Sequence, residues 1–128
     1  MTVDPELMAL NQRLLDSIAS GDWNVYKDLC DEGITAIEPE APGQVVPGLD
    51  FHKFYFDLGG AKGKVQTTMC HPVIHSSGDM AVIAYVRLVQ KLNAQGGPIT
   101  VASAETRVWE KKQGKWKHIH FHRTPLGG

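Results

Sequence analysis

The sequence predicts an α+β fold in which helices precede an antiparallel sheet. Apolar residues recur at helical spacing in the first half of the chain, and four long segments without that spacing follow. Turn signals separate these four segments, as is typical of antiparallel hairpins. A chain of 128 residues can bury its own core without disulfides or a metal, so we expect one domain over residues 1–128.

Three helices are predicted before the sheet. Residues 5–19 carry apolar side chains three and four positions apart, and Asp4 suits the N-cap. A second, short helix begins after Asp22 and ends by Gly33. A short strand at residues 34–38 and a loop rich in proline and glycine lead into the third helix. That helix holds four large apolar residues, Phe51, Phe54, Tyr55 and Leu58.

Four strands are predicted after the helices, joined as a meander. The strands cover residues 65–75, 80–92, 99–112 and 115–124. The turn signals between them lie at residues 76–79, 93–98 and 113–114.

The composition argues against several classes of function. A net charge of −1 and a pI near 6.6 give no electrostatic attraction for nucleic acid or for anionic membranes. Cys30 and Cys70 form no CxxC pair, so neither a disulfide framework nor a zinc site is predicted. The N-terminal residues lack the pattern of a secretory signal, and the longest apolar run is too short to cross a bilayer. We therefore expect a cytoplasmic protein without a cofactor.

Three of the predicted strands each continue an apolar face into an arginine. Side chains alternate across a strand, and this alternation selects Arg87, Arg107 and Arg123. We expect their guanidiniums to meet inside one end of a curved sheet, where Glu105 neutralises one of them and a bound anion satisfies the others. The alternative is that the three arginines lie on solvated strand ends and form weak surface pairs.

The last predicted strand also carries three histidines at alternate positions. His118, His120 and His122 are expected on one face, opposite Ile119, Phe121 and Arg123. Three imidazoles could bind zinc. Neighbouring side chains on one face of a strand are about 6 to 7 Å apart, however, which is a long reach for one metal. We expect no structural metal at this face.

Six short motifs occur in a fixed order along the chain. They are TAIEPEA at 35–41, GLDFHKFYF at 48–56, IAYVRL at 83–88, ETRVW at 105–109, GKW at 114–116 and HFHR at 120–123. This set resembles the association domain of calcium/calmodulin-dependent protein kinase II, and the resemblance extends from Gln12 to Thr124.

The resemblance implies a cone-shaped fold like nuclear transport factor 2, with helices packed in the concave face of a curved antiparallel sheet. It also implies a homo-oligomeric hub, a double ring of about ten or more subunits. The family's concave pocket takes small carboxylates. Its three arginines fall on Arg87, Arg107 and Arg123 here, and its wall positions on Tyr26 and His52.

Repulsion among three arginines predicts a pocket that lacks negative charge. On that basis we expect Arg107→Ala to leave the unliganded protein no less stable. Glu38 and Glu40 are expected to form a structural turn or a salt bridge between subunits.

Two classes of function follow from these observations. No counterpart of the kinase domain, the autoinhibitory segment or the calmodulin-binding helix is found in the sequence, so we expect a hub without kinase activity. The alternative is a small-molecule enzyme of the same fold, of the isomerase, dehydratase or cyclase type, with Tyr26, Tyr85 or His52 as the acid or base. We assign no catalytic residue, because a glutamate paired with arginine, such as Glu105, is a poor base.

Overall fold

The computed structural model describes residues 4–127, and this part of the chain contains three helices and six strands. The helices are α1 (Pro5–Ser20), α2 (Trp23–Leu29) and α3 (Asp50–Asp57). The strands are β1 (Cys30–Ile37), β2 (Val46–Pro47), β3 (Gln66–Ser77), β4 (Met80–Leu92), β5 (Pro98–Lys112) and β6 (Lys115–Leu126). Residues 1–3 and 128 of the predicted domain lie outside the described residues.

The six strands form one curved sheet in the order β2-β1-β6-β5-β4-β3. The predicted meander from β3 to β6 is confirmed, since each of these strands pairs antiparallel with the next. The pairing of β1 with β6 is parallel, and neither strand's sequence indicated it. This pairing places the end of β1 beside the last strand, where the pocket described below opens.

Local signals set the bounds of the first helix as predicted. The Asp4 carboxylate accepts a hydrogen bond from the backbone N–H of Leu7 at 3.1 Å. The helix ends at Gly21, whose φ of 73° is in the left-handed region. A side chain at Gly21 would lie 2.6 Å from the backbone nitrogen of Gly60, so this position needs glycine both for its conformation and for its close contact.

The hydrophobic core lies between α1, α2 and the inner face of the sheet. Fully buried apolar residues come from both layers and include Leu14, Leu15, Ile34 and Trp109. Helices packed on one face of a curved sheet confirm the predicted α+β class. Within residues 4–127, no helix is long and apolar enough to span a lipid bilayer.

Helix α3 forms where it was predicted, but its large apolar residues face outward. Phe54 and Leu58 are 60% and 71% exposed. The helix instead turns His52 and Phe56 toward the body of the domain, and His52 is 5% exposed. An apolar surface is therefore left at this helix.

The predicted histidine face is wrong. A bulge in the pairing of β5 with β6 sets Val108 opposite His120 but the next residue of β5 opposite His118. The extra residue turns His118 to the inner face, where it is fully buried, while His120 and His122 face outward. His118 takes the place on the inner face that the sequence assigned to Ile119, beside Phe121 and Arg123.

Candidate functional site

A pocket of about 240 Å³ opens between α3 and the inner ends of strands β4 to β6. Five of the six residues predicted for the site line it, namely Tyr26, His52, Arg87, Arg107 and Arg123. The sixth, Glu105, lies beneath the pocket floor and is 2% exposed. The strand alternation thus brought the three arginines to one place, as the sequence predicted.

Glu105 is the most completely bonded carboxylate of the site. Its Oε1 accepts hydrogen bonds from the Tyr85 hydroxyl at 2.7 Å and from Arg107 Nη2 at 3.0 Å. Its Oε2 accepts from the Ser103 hydroxyl at 3.1 Å and lies 3.5 Å from Arg87 Nη1. Burial raises the pKa of this carboxyl, but the charges of Arg107 and Arg87 outweigh burial and bring the pKa down to about 2. Glu105 is therefore ionised at neutral pH and holds two arginines.

Arg107 lines the pocket, but its guanidinium also makes several contacts with neighbouring side chains. It is 1% exposed, and its Nε also donates to the Tyr85 hydroxyl at 2.9 Å. Its guanidinium lies 4.4 Å from the centre of the Phe121 ring, and Nη1 is 3.4 Å from His118 Nε2. Burial lowers the pKa of Arg107, but Glu105, Tyr85 and Tyr26 together raise it above its ordinary value. The guanidinium stays charged and fixed in position.

A buried amide that sequence reasoning missed connects this network to α1. The side chain of Asn11 donates to the Tyr85 hydroxyl at 3.1 Å and accepts from the Trp109 indole at 3.0 Å. Burial raises the pKa of Tyr85 to about 12. Because Tyr85 is fully bonded and does not line the pocket, it is placed as a structural group rather than as the acid or base considered from the sequence.

Arg123 is bonded to a carboxylate from another part of the chain. Its Nη2 donates to both carboxylate oxygens of Glu40, in the loop after β1. Both side chains are partly exposed at the pocket mouth. The expected structural turn is confirmed, because the backbone N–H of Ala41 donates to the Glu38 carbonyl at 3.1 Å. Glu40 in addition forms a salt bridge within the chain, with Arg123.

Glu38 and His52 form a less bonded pair on the pocket wall. His52 Nδ1 lies 3.6 Å from Glu38 Oε2, which is longer than a hydrogen bond. Within residues 4–127, Glu38 Oε2 and His52 Nε2 are buried and have no hydrogen-bond partner. Burial and then Glu40 raise the pKa of Glu38 to about 7, and burial and then Arg107 lower the pKa of His52 to about 4. At neutral pH His52 is neutral, and Glu38 is poised between its two protonation states.

The three arginines therefore face three carboxylates, whereas the sequence predicted one. The additional two, Glu38 and Glu40, follow β1 in a loop that closes over the pocket. Strand alternation could not place them, because they come from outside the meander. The run Glu38-Pro39-Glu40 was the signal available, and it gave no direction for the side chains.

No group of three or more His, Cys, Asp or Glu side chains among residues 4–127 is arranged to hold a metal ion. At the predicted histidine face, the three imidazoles do not lie together because His118 turns to the inner face of the sheet, away from His120 and His122.

The fold is of the nuclear transport factor 2-like type. A structure from this superfamily, from Salmonella enterica, superposes with a TM-score of 0.78 at 22% identity, covering 96% of this chain and 90% of the other. At that identity the likeness shows the fold alone.

The family is defined by a closer match. The model of the calcium/calmodulin-dependent protein kinase II association domain matches residues 4–127, and the chain belongs to this family. The association domain of the Caenorhabditis elegans kinase is 46% identical and covers 93% of this chain and 92% of its own, with a TM-score of 0.87. The hub homology domain of Chlamydomonas reinhardtii is 46% identical, with coverage of 95% and 97% and a TM-score of 0.88.

A full-length relative shows how much of such a kinase the chain represents. The rabbit calcium/calmodulin-dependent protein kinase type II subunit delta is 43% identical over 122 residues, which cover 93% of this chain. The matched part is 23% of that relative's length, so the chain spans about a quarter of it.

Proposed function

We propose that this chain is a hub that assembles with copies of itself into a closed ring-shaped oligomer of about ten or more subunits. The observation that carries the proposal is membership of the association-domain family over residues 4–127. The related proteins of Caenorhabditis elegans and Chlamydomonas reinhardtii are an association domain and a hub homology domain.

The exposed apolar residues of the chain support assembly. Four of them, Leu92, Ile99, Val101 and Leu126, are more than a third exposed and lie at the same end of strands β4, β5 and β6. Phe54 and Leu58 add a second apolar surface on α3. Exposed large apolar side chains in groups are typical of surfaces covered by another subunit.

Native mass spectrometry of the purified chain tests this function. We expect a decamer or larger, and a monomer that persists at micromolar concentration would contradict the hub. Leu58→Glu is expected to lower the subunit number, because it places a charge in the apolar surface of α3. Lys62→Glu introduces the same group at an exposed polar position and is expected to keep the wild-type mass.

We further propose that each pocket binds a small carboxylate. The guanidiniums of Arg87, Arg107 and Arg123 converge on it, and two of its polar atoms, Arg87 Nε and His52 Nε2, have no partner within residues 4–127. A carboxylate can accept two parallel hydrogen bonds from a guanidinium, so it matches this lining.

A melting-temperature screen with small carboxylates tests the pocket. Binding is expected to raise the melting temperature with the logarithm of ligand concentration. Arg123→Ala is expected to reduce the shift, since Arg123 is the pocket arginine with the fewest structural contacts. Lys117→Ala removes a cation that does not line this pocket and serves as the matched control. The proposal of a carboxylate pocket fails if no carboxylate, phosphate or sulfate shifts the melting temperature of wild type. It also fails if the ligand shifts the melting temperature of Arg123→Ala as much as that of wild type.

One observation favours the enzymatic alternative. Glu38 lines the pocket, its Oε2 is buried without a hydrogen-bond partner in residues 4–127, and its raised pKa of about 7 suits a general base. A dimer in native mass spectrometry would support this class. A second test measures how fast the methyl protons of pyruvate exchange with deuterated water. Exchange that wild type accelerates and Glu38→Gln does not would support the enzymatic class. Exchange no faster than in buffer would contradict this class and leave the hub as the proposed function.

A further inference from the structure

Glu38 faces charged or titratable groups from every element packed around it. Those groups are Tyr26 on α2, Glu40 in its own loop, His52 on α3, Glu105 and Arg107 on β5, and Arg123 on β6. None of them donates a hydrogen bond to Glu38 Oε2, although Glu38 is only 8% exposed.

The nearby arginines are already bonded to other carboxylates. Arg107 and Arg87 contact Glu105, and Arg123 donates to Glu40. Glu38 is therefore the one pocket carboxylate among residues 4–127 that has no arginine of its own. A buried carboxylate without a donor favours its protonated form.

A count of charges shows what a ligand would meet. The three arginines contribute three positive charges, and Glu40 and Glu105 remove two of them when ionised. When Glu38 is protonated, one positive charge is left, and a single carboxylate neutralises it. When Glu38 is ionised, the pocket is already neutral, and an incoming carboxylate would meet an uncompensated negative charge in a partly buried site.

We propose that Glu38 couples anion binding to proton uptake, so that the pocket takes up a small carboxylate together with a proton on Glu38 and releases both together. This inference rests on the proposed carboxylate function of the same pocket. No covalent bond changes, since one carboxylate and one proton enter and the same two leave.

The protonation states of the pair place the transition near neutral pH. The pKa of Glu38 is raised to about 7 by burial and then by Glu40. The pKa of His52 is lowered to about 4, so the imidazole stays neutral through the same range. Protonated Glu38 carries an O–H group that can donate a hydrogen bond to the ligand, whereas ionised Glu38 repels the ligand.

The experiment measures the dissociation constant of butyrate by titration calorimetry between about pH 6 and about pH 8, at constant ionic strength in buffers free of carboxylate and phosphate. Butyrate is ionised throughout this range. With a Glu38 pKa of about 7, wild type is expected to bind roughly tenfold more weakly at the upper pH than at the lower one. At about pH 7, two buffers of different ionisation enthalpy are expected to show about half a proton taken up per butyrate.

Three variants test which residue takes up the proton. Glu38→Gln is expected to bind butyrate equally at both pH values, and about tenfold more tightly than wild type at the higher pH. Glu32→Gln, an exposed change on β1, is expected to keep the wild-type dependence. His52→Gln changes a wall residue of the pocket, so the readout is the ratio of its dissociation constants at the two pH values and not its affinity. That ratio is expected to stay near the roughly tenfold of wild type, and its loss would assign the proton to His52 and overturn the inference.

The inference and the proposed function fail in different ways. Equal binding at both pH values, or an unchanged slope in Glu38→Gln, overturns the proton coupling and leaves the carboxylate pocket in place. If neither butyrate, acetate nor sulfate binds at about pH 6, the carboxylate function itself fails, and the inference fails with it.

Discussion

Two buried glutamates that both lie near Arg107 differ in their hydrogen bonds and in their pKa values. Glu105 is 2% exposed and accepts hydrogen bonds from two arginines and two hydroxyl groups. Glu38 is 8% exposed, and its Oε2 accepts none from residues 4–127. The pKa of Glu105 is lowered to about 2, and that of Glu38 is raised to about 7.

The difference shows that burial alone does not set the charge of a carboxyl group. Burial raises both pKa values, and the donors around each group decide the outcome. Around Glu105, at the floor of the pocket, both carboxylate oxygens are bonded, and this network stabilises the fold. At the pocket wall, Glu38 Oε2 lacks a donor within residues 4–127, so Glu38 can respond to a ligand.

The largest expected effect on stability comes from removing the Arg107 guanidinium at the pocket floor. Arg107→Ala leaves Glu105 buried with only the more distant Arg87 as a charged partner, and removing one member of a buried pair costs about 3 to 5 kcal/mol. The midpoint of urea unfolding is expected to fall accordingly. This reverses the sequence-based expectation that Arg107→Ala would be no less stable, because that expectation assumed unpaired arginines.

Arg107→Lys keeps the positive charge and provides a second measurement in case Arg107→Ala does not fold. An ammonium cannot bond both Glu105 and the Tyr85 hydroxyl as the guanidinium does, so an intermediate loss is expected. Lys62→Ala, at an exposed position, serves as the control. An Arg107→Ala midpoint equal to wild type would show that the floor does not stabilise the fold.

A smaller effect is expected from the pocket wall, and its size depends on pH. The pKa of Glu38 rises from an ordinary value of 4.5 to about 7 in the folded state, so the folded state binds the proton more tightly. Its contribution is complete below about pH 4.5 and is lost as the pH rises to about 7. A shift of this size corresponds to roughly 3 kcal/mol, and solvent screening of a carboxyl that is not fully buried reduces it, so Glu38→Gln is expected to be about 2 kcal/mol more stable than wild type near pH 8.

The same comparison near pH 4.5 removes the effect. There Glu38 is protonated in the folded state and about half protonated in the unfolded state, which changes the free energy of unfolding by only roughly 0.4 kcal/mol, so the variant and wild type are expected to unfold at similar urea concentrations. A difference that stays constant across this range would mean that the amide acts through packing and not through charge.

The smallest expected effect on stability is at the mouth. Arg123 and Glu40 are partly exposed, and such pairs contribute about 1 kcal/mol or less. Arg123→Ala is expected to shift the urea midpoint little, while it weakens carboxylate binding. A loss as large as that of Arg107→Ala would contradict the division between floor and mouth.

Much of the fold was predictable because its signals are local. Asp4 and Gly21 bound the first helix, and the turn signals gave the meander from β3 to β6. The alternation of β4 and β5 holds through Arg87 and Arg107, because no bulge interrupts the pairing of these two strands. Those two guanidiniums were therefore placed correctly from sequence.

The remaining features depend on contacts between distant segments. The bulge in β6 reverses the side of His118, and a single sequence carries no sign of an unpaired residue. The parallel pairing of β1 brings Glu38 and Glu40 to the pocket from a loop. Asn11 lies on the buried face of an amphipathic helix, where its hydrogen bonds with Tyr85 and Trp109 explain it.

The most direct measurement compares two variants that remove the same charge by the same change. Glu105→Gln and Glu38→Gln are unfolded in urea near pH 8, beside wild type and Glu32→Gln as the exposed control. Glu105→Gln is expected to lose stability, because Arg107 and Arg87 lose their counter-charge, whereas Glu38→Gln is expected to gain it. Midpoints that move in the same direction would contradict the account, since they would show that the two carboxylates have the same role.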